Sequence, residues 1–232
     1  MSFWKILFGG GEKLIDKAHA EALVSMENGK KMFLKVMTAL HLEVDQNTID
    51  VIKQMDSEMN QQQVNIRRMV YEHLSVSKGK DLLASLVLLC VVIDTERIGD
   101  YVKNISELIK DFPGKLEFDE FEEIFERLNK KTIELFDLTK QAFEDNDEAK
   151  AKKVMEVYGK ESPLCDITIS KILSEKTEGG MVKISFLVLV LMLRHMKRVM
   201  AHLKNIASTV VNPFDRIGYR YKSHKRNIKS TS

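Results

Sequence analysis

An internal repeat constrains the fold of this chain more than any other feature of its sequence. When Val92–Leu108 (VIDTERIGDYVKNISEL) is shifted by 101 positions, it aligns with Leu193–Thr209 (LRHMKRVMAHLKNIAST). The tripeptide Lys-Asn-Ile recurs at the same place in both segments, and an arginine meets an arginine. Leu86–Leu88 (LVL) likewise aligns with Leu187–Leu189 (LVL), and weaker similarities elsewhere align at a shift of 103. A repeat of this length predicts two copies of one supersecondary unit.

The hydrophobic periodicity and the helix-stop signals predict three helices in each copy. Three prolines and eleven glycines in 232 residues favour helices over a sandwich or barrel, and no segment alternates long enough with the period of two that a strand requires. We therefore predict an all-α fold of two tandem three-helix bundles, six helices in total, in a pseudo-twofold repeat. The predicted divisions are an N-terminal apolar arm (1–11), a first three-helix repeat (12–112), a second three-helix repeat (117–212) and a basic C-terminal tail (213–232).

The third helix of each copy begins with an apolar run, Leu82–Ile93 in the first copy and Ile184–Leu193 in the second. Each run is apolar on all sides, which predicts a helix segment that is buried on every face. Neither run reaches the roughly 18 residues that a helix needs to span a bilayer. The third and sixth helices are therefore expected to be the most buried helices of the fold.

The second half of the third helix carries two carboxylates, Glu96 and Asp100, about one turn apart on the same face. The residues alone leave two interpretations open. The face is solvated, with Lys103 relieving the repulsion between the carboxylates, or the pair belongs to a site that uses the negative charge. Asp94 points roughly to the opposite side, so we expect it to contact another helix rather than a ligand.

The segment DTERIGDYVKNISEL (residues 94–108) resembles the signature of the PhoU family, in which an acidic residue precedes ERIGD and an Asn-Ile pair follows. In that family the signature ends the third helix of each of two three-helix bundles, so the resemblance covers nearly the whole chain. It implies a non-enzymatic, cytoplasmic regulator of phosphate homeostasis that works at the inner face of the membrane as a homodimer. The implied partners are a phosphate transporter or its cytoplasmic subunit, and a sensor kinase.

The resemblance also implies a metal site, because several PhoU-like proteins hold metal clusters on E/D-xxx-D motifs. The matching residues here are Glu96 and Asp100 on the third helix, and Asp56 and Asn60 on the second. Asn60 departs from the motif, since it offers a neutral oxygen where the family has a carboxylate. We therefore expect a weakened site for a divalent or iron-type metal ion, in the first repeat only.

In the second copy the acidic positions of the motif are replaced. Lys197 stands at the position of Glu96, and Ala201 stands at the position of Asp100. We predict that this surface binds an anion such as phosphate, a nucleotide, a lipid headgroup or an acidic loop. The simpler alternative is attraction of cations to the helix C-terminus, which suits only the last lysine of the set. The predicted anion-binding residues are Arg194, Lys197, Arg198, His202 and Lys204.

The chain termini leave further functions open. The first eight residues (MSFWKILF) are either an arm packed on the bundle or a peripheral membrane contact, and we predict contact because Gly9–Gly11 separates them from the first helix. The alternatives to a regulator are a metal-dependent helical-bundle enzyme and a nucleic-acid-binding regulator that uses the basic C-terminus. No catalytic motif supports the enzyme, and Asp16 and His19 are expected to be solvated. No recognition motif supports nucleic-acid binding, which we therefore do not expect.

Overall fold

The computed structural model describes residues 14–40, 46–112, 116–175 and 183–221, and these residues form six α-helices and no β-strand. In chain order they are α1 (Leu14–Ala39), α2 (Gln46–Val76), α3 (Leu82–Asp111), α4 (Glu122–Asp145), α5 (Glu148–Glu175) and α6 (Ile184–Val211). Short 3₁₀ turns at Asp119–Phe121 and Phe214–Arg216 precede α4 and follow α6. The predicted all-α class with six helices is confirmed. The apolar arm and the end of the basic tail (222–232) lie outside the described residues.

Helices α1–α3 form one bundle, α4–α6 form the other, and α3 packs against α6 where the bundles meet. Two contacts between these antiparallel helices show how the repeats are related. Asp94 Oδ1 lies 2.6 Å from His202 Nδ1, and the ring centroids of Tyr101 and His195 are 5.8 Å apart. At the 101-residue shift Asp94 corresponds to His195 and Tyr101 corresponds to His202. The two pairs are therefore equivalent contacts, one from each repeat. This exchange is what a pseudo-twofold axis between α3 and α6 produces.

One hydrophobic core runs through both bundles. Phe33 on α1 and Phe136 on α4 correspond to each other at the 103-residue shift, and their ring centroids lie 5.6 Å apart. Gly29 lies one turn before Phe33, and a Cβ atom added there would meet side chains of both bundles at 3.4–3.7 Å. At the rim, Lys140 pairs with Glu27 at 2.8 Å and joins α4 to α1. Separating the bundles would therefore expose large apolar side chains to water.

The turn between α4 and α5 follows from two polar residues. Asn146 has a left-handed backbone with φ of 53°, which asparagine tolerates better than most residues that carry a side chain, and it ends α4. Asp147 then caps α5, because its Oδ1 atom accepts hydrogen bonds from the backbone N–H groups of Ala149 (2.9 Å) and Lys150 (3.0 Å). These hydrogen bonds hold the pKa of Asp147 below its usual range.

The predicted burial of α3 and α6 on every side is wrong for their N-terminal halves. Leu88 and Leu189 are fully buried, but Leu83 is 62% exposed and Leu187 is 45% exposed. Each helix packs against three others, which cover its inner face and leave the outer face open. We call these outer faces the apolar stripes; their residues are Leu82, Leu83 and Ile93 on α3, and Ile184, Leu187 and Leu191 on α6. No helix among the described residues is long and apolar enough to cross a membrane.

The expectation that His19 is solvated is also wrong. Its imidazole ring packs against Phe143 of α4, with the ring centroids 4.9 Å apart. Burial lowers the pKa of His19 from 6.5 to about 4, because a charged imidazolium loses its hydration in such a position. The ring is therefore neutral at physiological pH and belongs to the contact between the two bundles.

Candidate cation site in the first repeat

The structure brings three of the four predicted metal ligands to the boundary between α2 and α3, around one ammonium group. Lys103 Nζ donates hydrogen bonds to Asp56 Oδ2 at 2.9 Å and to Asp100 Oδ1 at 3.3 Å. Asn60 lies one turn after Asp56 on α2, and its amide donates to Asp56 Oδ2 at 3.5 Å. The two helices are thus joined by a cation that the chain itself supplies. Sequence analysis anticipated the pairing of Lys103 with Asp100 but missed the pairing with Asp56.

Glu96, the fourth predicted ligand, lies beside this group without touching Lys103 in any described contact. Its Oε2 atom accepts a hydrogen bond from Gln63 at 3.5 Å and lies 3.6 Å from Arg97 Nε. Arg97 also donates to Asp100 Oδ2 at 3.1 Å. Burial, followed by repulsion from Asp100, raises the pKa of Glu96, and Arg97 opposes this shift. The repulsion expected from the four-residue spacing is therefore present and only partly relieved.

The two neighbouring carboxylates stabilise the charged form of Lys103. Burial alone would lower the pKa of its ammonium group, but hydrogen bonds and charge attraction from Asp56 and Asp100 outweigh burial and raise it. Its side chain is 24% exposed and that of Asp56 only 10% exposed. A partly buried ion pair of this kind is screened less by salt than one on the open surface. The group is consequently charged throughout the physiological pH range.

The donor set does not fit a metal ion while Lys103 occupies this place. Within the described residues, no group of three or more His, Cys, Asp or Glu side chains is arranged to hold one. A cation between Asp56 and Asp100 would have to displace an ammonium group that already bonds both. Asp56 Oδ1 is buried and has no hydrogen-bond partner among the described residues. The metal site predicted at Asp56, Asn60, Glu96 and Asp100 stays a prediction.

Asp94 makes the interhelical contact expected of it. Its Oδ1 atom lies 2.6 Å from His202 Nδ1 and accepts a hydrogen bond from Asn205 Nδ2 at 3.0 Å. Both partners lie on α6, on the other side of the pseudo-twofold axis. Asp94 therefore holds the two repeats together and stands apart from the acidic residues at the α2–α3 boundary.

The second repeat makes the corresponding contact between its helices with different residues. Lys197, at the position of Glu96, pairs with Asp166 of α5. Asp166 occupies the position of Gln63 at the 103-residue shift, so the Gln63–Glu96 contact of the first repeat becomes an ion pair in the second. Arg194 lies 3.6 Å from the same carboxylate. Two residues of the predicted anion site are thus already paired with an acid.

Of the remaining predicted anion-binding residues, His202 and Lys204 have partners within the protein and Arg198 is exposed. His202 contacts Asp94, as described above. Lys204 donates hydrogen bonds to Asn205 Oδ1 at 2.7 Å and to the Gly218 carbonyl oxygen, because the first residues of the tail fold back onto α6. Burial lowers the pKa of Lys204, and Asp94 partly opposes this. Arg198 is exposed. The anion-binding surface remains a prediction, and an anion would compete with internal contacts of the other four residues.

The fold and this arrangement define an all-α protein of two pseudo-symmetric three-helix repeats, with an acidic motif that is kept in the first repeat and lost in the second. The family model of the PhoU domain matches residues 26–109, most of the first repeat. The resemblance to the PhoU family seen in the sequence is therefore confirmed over these residues.

Two solved structures have a similar fold. The crystal structure of PhoU from Pseudomonas aeruginosa is 18% identical with a TM-score of 0.72, over 85% of this chain and 95% of that chain. The crystal structure of the phosphate transport system regulatory protein PhoU from Streptococcus pneumoniae is 18% identical with a TM-score of 0.70, over 85% of this chain and 93% of that chain. No curated protein matches the sequence significantly.

The raised pKa of Glu96 leads to a prediction about stability. A carboxyl group whose pKa is higher in the folded state costs stability once it ionises, so the cost is absent well below pH 4.5 and present at neutral pH. Glu96→Gln is therefore expected to raise the melting temperature at pH 7, and the gain should disappear as the pH falls below about 4. Melting curves across this range test the prediction, and a variant that is less stable than wild type at pH 7 would contradict it.

Proposed function

We propose that this chain is a PhoU-like regulatory adaptor of phosphate homeostasis that acts by protein–protein contact and not as an enzyme. The observation that carries the proposal is the PhoU domain at residues 26–109, within a fold shared with PhoU over most of both chains. The proposed partners are a phosphate transporter or its cytoplasmic subunit, and a sensor kinase. The proposed place of action is the cytoplasm, at the inner face of the membrane.

The apolar stripes support a role in contact. Six large aliphatic side chains lie on the outer faces of α3 and α6, at the N-terminal ends of two helices that the pseudo-twofold axis exchanges. Surfaces that expose several neighbouring apolar side chains are typical of protein interaction sites. The stripe on α6 has the spacing of one helical face, since Ile184, Leu187 and Leu191 lie three and four residues apart. A partner subunit or a second copy of the chain would find the same face on either repeat.

The apolar stripe on α6 allows a test with a closely matched control. Leu187→Glu is expected to lower the recovery of partner proteins from solubilised native membranes, since it places a charge on the contact face. Val64→Glu makes the same change on α2, at a residue with the same 45% exposure, and should leave recovery unchanged. Both variants should melt close to wild type. Equal recovery with all three proteins would contradict contact through this face. Light scattering on the purified proteins would test the homodimer that the family resemblance implies.

The apolar arm is expected to contribute to contact and not to the fold. Deletion of residues 1–11 should leave the melting temperature nearly unchanged, because Gly9–Gly11 separates the apolar side chains from the first helix. It should reduce the fraction of protein that sediments with membrane vesicles or is recovered with a transporter. A large drop in melting temperature would instead mean that Trp4 and Phe8 pack on the bundle.

A further inference from the structure

The acidic motif of the first repeat already holds a cation. Lys103 Nζ lies within hydrogen-bond distance of one carboxylate on each of two helices, Asp56 on α2 and Asp100 on α3. Hydrogen bonds between charged groups are stronger than those between neutral groups. The ammonium group therefore takes the bridging place for which the E/D-xxx-D pattern predicts a metal ion.

Asp56 makes a counter-cation necessary. Only 7% of the residue is exposed, and its Oδ1 atom is buried without a hydrogen-bond partner in the described part of the chain. A buried carboxylate must be paired or lose its charge. Lys103 supplies the pairing through Oδ2, so Asp56 needs a cation at this point and already has one.

The second repeat shows what the same lysine does when the acids are absent. Lys204 is the counterpart of Lys103, but Ala201 replaces Asp100 and, at the 103-residue shift, Gly159 replaces Asp56. Its ammonium group turns instead to the Gly218 carbonyl oxygen and lies 5.5 Å from the centroid of the Tyr158 ring. The lysine is thus present in both repeats, and the bridge between α2 and α3 depends on the two carboxylates.

We propose that Lys103 is the resident cation of the acidic motif, that it keeps divalent metal ions out of the site, and that removing its ammonium group opens the site to such ions. The three carboxylates of Asp56, Glu96 and Asp100 face the two cations of Lys103 and Arg97. Without Lys103 the group carries two uncompensated negative charges, which a divalent ion neutralises. Oxygen donors of this kind suit Mn²⁺.

The test compares Lys103→Met with wild type in Mn²⁺ and in chelator. Wild type should melt at the same temperature in both, and its Mn²⁺ electron paramagnetic resonance spectrum should be that of the free ion. Lys103→Met should be less stable in chelator. It should gain roughly 5–10 °C when Mn²⁺ is present at about 100 times its dissociation constant. Adding Glu96→Gln to this variant should reduce the gain, since one ligand is lost.

Lys204→Met is the matched control, because it removes the counterpart lysine from a place without the two carboxylates, and Mn²⁺ should not change its melting temperature. A Lys103→Met protein that folds and shows no response to Mn²⁺ would overturn the proposal. If Lys103→Met does not fold in either solution, the Mn²⁺ spectrum of the wild-type protein tests the proposal. Free Mn²⁺ in its spectrum supports the proposal, and bound Mn²⁺ that Glu96→Gln releases overturns it.

Discussion

Replacing Leu88 with lysine is expected to unfold the protein at room temperature. Leu88 is fully buried in the core, on the inner face of α3. Losing a buried leucine side chain costs about 2–5 kcal/mol, and an unpaired buried ammonium group costs several kcal/mol more. Together these losses are comparable with the whole stability of a typical domain, which is about 5–15 kcal/mol. Circular dichroism and thermal melting measure the outcome directly.

Leu83→Lys is the matched control for this prediction. It makes the same change five residues earlier on the same helix, where the side chain is 62% exposed, and surface substitutions usually change stability by less than about 0.5 kcal/mol. Leu189→Lys and Leu187→Lys repeat the comparison on α6, two residues apart. Wild-type melting of Leu88→Lys would contradict the position of this residue in the core, and unfolding of Leu83→Lys would contradict the exposed stripe.

The internal repeat made the equivalence of α3 and α6 predictable from the sequence. A shift of 101 residues that preserves Lys-Asn-Ile and the preceding apolar run requires two equivalent helices, and the structure makes α3 and α6 partners across the axis. The exposed side of these helices was not predictable in the same way. Leu83 and Leu88 have the same chemistry, and an all-round apolar run contains no periodicity that tells one face from another. Only the packing of three neighbouring helices decides which leucine is covered.

The candidate site was predictable where its residues lie on one helix. The spacing of Glu96 and Asp100 places them on one face, and the repulsion expected from that spacing is reflected in the raised pKa of Glu96. The bond from Lys103 to Asp56 joins residues 47 positions apart on different helices, so no local pattern contains it. The family motif predicted metal at this point because the motif describes the acids and says nothing of a lysine that reaches them.

The basic residues of the second repeat illustrate the same limit. Lys197 and Arg194 stand where the first repeat has an acid and an apolar residue, and a helix read alone shows only an excess of positive charge. Their common partner, Asp166, lies on α5. Its role is visible only when Asp166 is aligned with Gln63 at the 103-residue shift. The ion pair of Lys197 with Asp166 then occupies the same place as the hydrogen bond of Glu96 with Gln63. Comparing pairs of positions between repeats, instead of single positions, would have found it.

Acid is expected to destabilise this protein before most of its carboxylates titrate, and the burial of His19 contributes to this loss of stability. The pKa of His19 is about 4 in the folded state, against 6.5 without burial. Below pH 6.5 the unfolded chain binds a proton that the folded chain does not, so stability falls as the pH falls from 6.5 towards 4. One pKa unit corresponds to about 1.4 kcal/mol, so this residue accounts for a loss of up to about 3 kcal/mol. Glu27, whose pKa its hydrogen bond with Lys140 lowers, adds its own loss only below about pH 4.5.

His19→Phe isolates this effect, because phenylalanine keeps an aromatic ring against Phe143 and cannot take up a proton. The variant and wild type should differ little in urea unfolding at pH 8, and the variant should become the more stable of the two as the pH falls from 6.5 to 4.5. Burial also lowers the pKa of His195, so wild type and variant will both lose some stability in this range, and the difference between them is what reports on His19. His195→Phe, measured in parallel, gives the second contribution. A stability difference between His19→Phe and wild type that stays constant from pH 8 to pH 4.5 would mean that His19 is protonated equally easily in the folded and unfolded protein, and that its ring is not buried between the bundles.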